Sequence, residues 1–237
     1  MNEGVENGTD NPNPNGRLSV VATPIGNMGD ITFRALWNLK EADVIYAEDT
    51  RVISKLLAHY GLRTSLQRLD AATEGKKGKE IAERLHAGEH VALVTDAGTP
   101  GISDPGSRLV AYIREHAPEA IIDAIPGPSA LTAALSIAGV DATQFTFIGF
   151  LPHKKGRQTA IQALSKSKIP VVLYESPHRI VKFLTELAKV APKARVSIGR
   201  ELTKMHEELI QGTAKELAAH IEKKKTARGE FVVIVEP

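Results

Sequence analysis

A chain of 237 residues with 42% hydrophobic and 24% charged side chains has the balance of an ordinary globular protein and room for one or two domains. It contains no cysteine, which excludes disulfides, thiolate nucleophiles and cysteine-based zinc sites, and no apolar run reaches the ~18 residues of a membrane span. The formal net charge of +2 neither demands nor excludes a nucleic-acid partner. The start of the chain lacks an apolar signal-peptide core, so a cytoplasmic protein is expected.

Residues 1–16 are rich in Asn, Gly, Pro and acids, with almost nothing to bury, and read as a disordered tail. Strands are then expected at Leu18–Ala22, Val44–Ala47, Val91–Val94 and Ala120–Ile125, and helices at Asp30–Leu39, Val52–Tyr60, Lys79–Ala87, Ser107–Glu115 and Ser129–Ala138. Gly61, Gly88 and Gly139 stop three of these helices. Strands alternating with helices argue for an α/β fold with mostly parallel pairing. Beyond this the rhythm changes. Strands fit Phe145–Phe150, Val171–Glu175, Arg195–Arg200, Glu208–Gln211 and Phe231–Val235, and helices fit Gln158–Ser165, Ile180–Val190 and Ala214–Lys223. Two strands there lie close together with no helix between them, which predicts a hairpin and a mixed sheet. The expected division is a tail over 1–16, an N-terminal α/β domain over 17–125 and a C-terminal α/β domain over 126–237.

Seven loops carry the residues of interest. Thr95–Gly106 follows a strand and precedes a helix, where ligands bind in open α/β sheets. Three glycines, two prolines, Asp96 and Asp104 make it far more elaborate than a plain connection of about 2–6 residues. Ala22–Asp30 leaves the first strand but has Pro24 where a dinucleotide fingerprint needs glycine, and Asp30 reads as a helix cap. Ala47-Glu48-Asp49-Thr50-Arg51 offers either a cap with an internal ion pair or a polar ligand edge. Ile125–Ala130 places Ser129 at a helix start. Phe150–Arg157 gathers His153, Lys154, Lys155 and Arg157, a set suited to phosphates. Tyr174–Arg179 holds Glu175, His178 and Arg179; Ser176 there lacks the elbow of a hydrolase nucleophile. Between Arg200 and Glu208, a His206-Glu207-Glu208 metal site has poor ligand spacing, and a surface turn fits better.

Taken together and in order, Thr23-Pro24-Ile25-Gly26-Asn27, Ala47–Arg51, Asp96-Ala97-Gly98-Thr99-Pro100, Pro126–Ala130, Gly149–Pro152, Glu175–Arg179 and Arg200–Lys204 resemble the methyltransferases of the tetrapyrrole methylase fold. Within them they resemble the branch that 2′-O-methylates a cytidine in the decoding region of small-subunit ribosomal RNA. The resemblance spans about residues 17–236. It implies two α/β domains with S-adenosyl-L-methionine in the interdomain cleft, within a homodimer, and the small ribosomal subunit or its rRNA as partner. It implies cofactor contacts from Pro24, Asp96, Ala97, Gly98, Ser103, Ser129, Ala130 and Leu151, and no metal.

The reaction so implied is in-line attack of a ribose hydroxyl on a sulfonium methyl, which rewards positioning and a base or cation at the hydroxyl. Glu48, Asp49, Arg51, Glu175, His178, Arg179, Arg200, Glu201 and Lys204 are the candidates. Glu175 or His178 is the expected base, with Arg51 and Arg200 orienting ribose or phosphate. A same-fold enzyme acting on a tetrapyrrole or a protein side chain, or a non-catalytic RNA-binding assembly factor, would share part of this pattern.

Overall fold

In the computed structural model, residues 15–70 and 73–236 are described, so most of the expected tail lies outside the described residues. The chain divides into two units. One comprises residues up to Ala22 and Thr32–Pro126; the other comprises Thr23–Ile31 and the chain from Gly127 on. The loop after the first strand therefore packs with the second unit, which a single boundary near residue 125 does not anticipate.

The first unit runs β1 (Arg17–Val21), α1 (Phe33–Glu41), β2 (Val44–Ala47), α2 (Thr50–His59), β3 (Ser65–Arg68), α3 (Glu74–His86), β4 (His90–Leu93), α4 (Ser107–His116) and β5 (Ile121–Ile125). Its sheet has the order β3-β2-β4-β1-β5 with every pair parallel. All four residues of β2 are buried, as expected for a strand with both faces covered. Strand β3 is the element the sequence pattern does not reveal. Its Ser-Leu-Gln-Arg is half polar because it pairs on one side only, with β2. Helix α1 is capped by Thr32, whose hydroxyl accepts the Ala35 N–H at 3.1 Å, so the expected cap at Asp30 is corrected. Asp30 instead ends a short 3₁₀ turn capped by Asn27. Helix α3 begins five residues before its predicted start, through the glycine- and lysine-rich Glu74–Gly78. Gly78 is required there by the neighbouring helix, since a Cβ would approach the Tyr112 ring to 2.8 Å.

The second unit adds α5 (Ala130–Ala138), β6 (Thr146–Phe150), α6 (Arg157–Leu164), β7 (Val171–Glu175), α7 (Ile180–Val190), β8 (Arg195–Arg200), β9 (Glu208–Thr213), α8 (Ala214–Lys224) and β10 (Phe231–Val235). The sheet order is β6-β7-β10-β8-β9, with β6 and β7 parallel and the other pairs antiparallel. The mixed sheet and the β8–β9 hairpin are as the sequence predicts. Strand β10 is buried throughout and its side chains alternate. Phe231, Val233 and Val235 join Phe183, Leu187 and Ile221 of the helices on one face. Val232 and Ile234 join Ala134, Ala138, Ile25 and Leu202 on the other. Burial of Ile25 against Leu202 is why the loop from β1 belongs to this unit. Among the described residues no helix is long and apolar enough to cross a membrane.

Helix α4 has no capping side chain of its own. Gly106 stands at its N-cap with φ 134°, and the carboxylate of Glu74, 4% exposed, accepts the N–H groups of Gly106 at 2.9 Å and Leu109 at 3.0 Å. Replacing Glu74 by Ala leaves two buried donors unpaired and is expected to cost about 1–3 kcal/mol in urea unfolding. Glu74→Gln keeps an acceptor and is expected to lose less.

Candidate active site

In the first unit, two loops at the carboxyl ends of neighbouring strands β2 and β4 carry candidate residues. Asp49 caps α2, its Oδ1 accepting the Arg51 N–H at 2.9 Å, and also takes the Arg51 Nε–H at 2.9 Å. These bonds hold the Asp49 carboxyl at about 2, well below its ordinary range, and the Arg51 side chain stays 86% exposed. The Asp49 N–H donates to Asp96 Oδ1 at 2.9 Å, so the β2 and β4 loops are tied by the side chain that the sequence marks as a cofactor ligand.

The β4 loop needs special backbone. Gly98 and Gly101 have φ of 83° and 82°, and Ser103 adopts φ 68°, a left-handed conformation uncommon outside glycine. The Gly101 N–H closes the loop on the Pro105 carbonyl at 3.2 Å. Asp96, Ala97 and Ser103 are exposed, whereas Gly98 is buried. Burial, then the charges of Glu48 and Asp96, push the Asp104 carboxyl up to about 6. Burial, then Asp96 and Asp70, push Glu48 up as well. Asp104 does not cap α4, a role that falls to Glu74. The edge therefore collects negative charge that is costly to ionise, an environment that favours a cationic ligand group.

The second unit carries five loops with candidate residues. In Thr23–Ile31, Pro24 is half-buried, and Gly26, φ 154°, lies against Lys204, whose methylenes a Cβ would overlap. Lys204 is committed elsewhere too, donating to Glu201 at 2.9 Å and Glu230 at 3.0 Å. Glu201 and Thr203 both have positive φ, so the β8–β9 turn is a strained and tightly bonded support for that first loop. Arg200 pairs with Glu208 at 3.2 Å. Glu207 accepts the Thr203 N–H. Among the described residues no group of three or more His, Asp or Glu is placed to hold a metal. In Pro126–Ala130, Ser129 is the N-cap of α5 with no capping hydrogen bond from its side chain, which leaves its hydroxyl and the first N–H groups of the helix for a polar ligand.

The remaining two loops correct three expectations. Glu175 is not a base. Its side chain is 0% exposed and both oxygens are occupied: Oε1 pairs with Arg179 Nε at 3.1 Å and accepts the Ser176 N–H at 2.8 Å, and Oε2 pairs with Arg157 Nη1 at 3.4 Å. Arg157 is not part of the surface phosphate cluster. It is 6% exposed, held by Glu175 and by Glu186 at 3.0 Å, while His153, Lys154 and Lys155 remain on the surface. The Leu151 side chain is 2% exposed in the second unit's core and its carbonyl accepts Arg179 Nη2 at 2.6 Å, so a ligand would meet its main chain rather than its side chain. His178 is exposed and stands outside this cage. No sequence signal marks Glu74, because its partners lie more than thirty residues away.

Comparison with known proteins places these loops in context. The model of the family described as Tetrapyrrole (Corrin/Porphyrin) Methylases matches residues 17–218. The ribosomal RNA small subunit methyltransferase I of Thermotoga maritima is 42% identical over 93% of this chain and 98% of its own. That of Halalkalibacterium halodurans is 45% identical over 93% of this chain and 76% of its own. Among solved structures, uroporphyrin-III C-methyltransferase from Thermus thermophilus, complexed with S-adenosylhomocysteine, aligns over 93% of this chain and 97% of its own with a TM-score of 0.63 and 18% identity.

Asp104 supplies a test of the carboxylate edge. Its folded-state value of about 6 lies above its ordinary 3.8, so the folded protein retains a proton that the unfolded chain has released between those pH values. Stability from this group is full below about pH 4 and is lost as pH rises through about 6. Asp104→Asn removes the loss. Its stability relative to wild type, read by urea unfolding at a series of pH values, is expected to grow from pH 4 to pH 6 and level off above.

Proposed function

The chain belongs to the Tetrapyrrole (Corrin/Porphyrin) Methylases and is a S-adenosylmethionine-dependent methyltransferase, and from this we propose that it methylates small-subunit ribosomal RNA at the 2′-oxygen of a decoding-region cytidine. The observation that supports the reading is the extent of the likeness to relatives named as small-subunit ribosomal RNA methyltransferases, at 42% identity along nearly all of one of them. Seven motif-bearing loops fall within the matched region, and the carboxylate edge suits a cofactor that carries a sulfonium and an ammonium group.

We assign cofactor contacts to Asp96, Ala97, Gly98 and Ser103 in the first unit and to Pro24, Ser129, Ala130 and the Leu151 main chain in the second. Asp96 is the central choice, since it both faces solvent and fixes the β2 loop. When bound, S-adenosylmethionine supplies an electrophilic methyl on a good leaving group, so most of the catalysis falls to placing the ribose. Transfer would require the attacking ribose hydroxyl to give up its proton to a group of this chain. His178 is the group we assign to receive that proton, because it is an exposed imidazole beside a rigid loop. Arg51 and Arg200, anchored by Asp49 and Glu208, orient ribose and phosphate. The active form is proposed to be a homodimer acting on the small subunit or its rRNA.

The deciding measurement is transfer of labelled methyl from S-adenosylmethionine to small ribosomal subunits, followed by digestion to nucleosides. Recovery of 2′-O-methylcytidine is expected; label in a base, in protein or in a tetrapyrrole instead would replace the substrate assignment. Two variants divide the roles. Asp96→Ala is expected to weaken cofactor binding at least about tenfold by calorimetry. His178→Ala is expected to lower kcat by about a hundredfold with cofactor affinity kept.

A further inference from the structure

The turn between β6 and α6 is held at both ends by a single buried carboxylate. At its start, Arg179 donates Nη2 to the carbonyls of Leu151 at 2.6 Å and Pro152 at 3.4 Å, while its Nε pairs with Glu175. At its end, Arg157 opens α6 and pairs with the same Glu175 and with Glu186. Gly156, φ 85°, lets the chain turn inward so that Arg157 reaches the interior. Between the two clamped ends, His153, Lys154 and Lys155 are exposed. Two guanidiniums against Glu175 and Glu186 balance in charge, so the cage adds no net field of its own. The lysines stand in a loop that contains no carboxylate from Gly149 to Ser165.

We propose that Glu175 is a positioning residue which, through Arg157 and Arg179, holds Leu151–Arg157 as a preformed basic loop onto which phosphates of the RNA substrate dock. Long lysine side chains on a mobile loop lose backbone and rotamer freedom when they bind; a loop ordered beforehand loses only the rotamers. Lys154 and Lys155 supply the charge, and the cage supplies the geometry. This gives the buried Glu175 a role in substrate affinity. The inference rests on the rRNA reading above.

The test compares three variants with wild type by steady-state methyl transfer to small ribosomal subunits, by calorimetry with S-adenosylmethionine and by thermal melting. Wild-type transfer to subunits tests the substrate reading by itself, and its absence overturns both conclusions. Lys154→Ala/Lys155→Ala is expected to raise KM for subunits about tenfold, and to reduce the slope of log affinity against log salt by about 2. Arg179→Ala leaves both lysines in place and Glu175 still paired with Arg157. It is expected to raise the same KM about fivefold, more than it changes kcat or cofactor affinity, and Arg179→Lys is expected to recover part of the loss. A double-lysine variant with an unchanged salt slope overturns the proposal. So does an Arg179→Ala protein that loses cofactor affinity or kcat while keeping its subunit KM. If Arg179→Ala melts below the assay temperature, Arg179→Lys and the lysine pair decide on the same criteria.

Discussion

A carboxylate with no access to water cannot stay charged without cations close at hand, and at Glu175 that requirement organises a whole end of the second unit. One oxygen recruits Arg179 from the start of the next helix, the other recruits Arg157 from the helix before. Those two arginines then fix the turn after β6 and the turn after β7, which lie side by side because the strands are parallel neighbours. Removing the carboxylate would leave Arg157 with Glu186 as its carboxylate partner and Arg179 with main-chain carbonyls, so the two turns would lose their common anchor. His178, Lys154 and Lys155 are among the charged or titratable groups that the cage leaves exposed at this edge.

The first unit solves a related problem with the opposite sign. Its strand ends gather Glu48, Asp49, Asp70, Asp96 and Asp104 with few cations among them, and burial raises the cost of ionising two of the five. Part of that charge is spent locally, on the α2 cap and on the Asp49–Asp96 link. Asp70 pairs with Arg68 at 3.0 Å, which leaves Glu48 and Asp104 as the two carboxylates whose ionisation burial opposes. Clustered carboxylates with raised ionisation cost are the pattern expected where structure serves binding.

Much of this was legible in the sequence. Strands β2, β7, β8 and β10 coincide with their apolar runs because each is buried on both faces or at a sheet centre, where periodicity and composition speak loudest. Strand β3 was hidden, since an edge strand with polar residues carries no such signal. The start of α3 was hidden by Gly75 and Gly78, one of which answers to Tyr112 on another helix. The loops were legible as unusual, because glycine and proline at strand exits are local facts. What each charged residue does was not. Arg157 and Lys155 look alike in the sequence, two positions apart, yet one is buried in an ion cage and the other faces water. Glu175 likewise reads as a base until the arginines converge on it from eighteen residues upstream and four downstream. Partnering of this kind depends on tertiary contacts, and spacing does not encode it.

Strand β10 lies at the middle of its sheet, between β7 and β8, although it is the last strand made. During synthesis the helices and strands from residue 130 to residue 224 leave the ribosome with a vacancy where that strand belongs. Both faces of the gap are apolar, and they stay open until Phe231–Val235 emerges and closes them. The early loop at Ile25 packs on the same sheet and waits as well, tethered to a first unit whose five strands are already available. The second unit's sheet is thus held together by a non-local strand, and its two apolar layers close only once Phe231–Val235 is seated between β7 and β8.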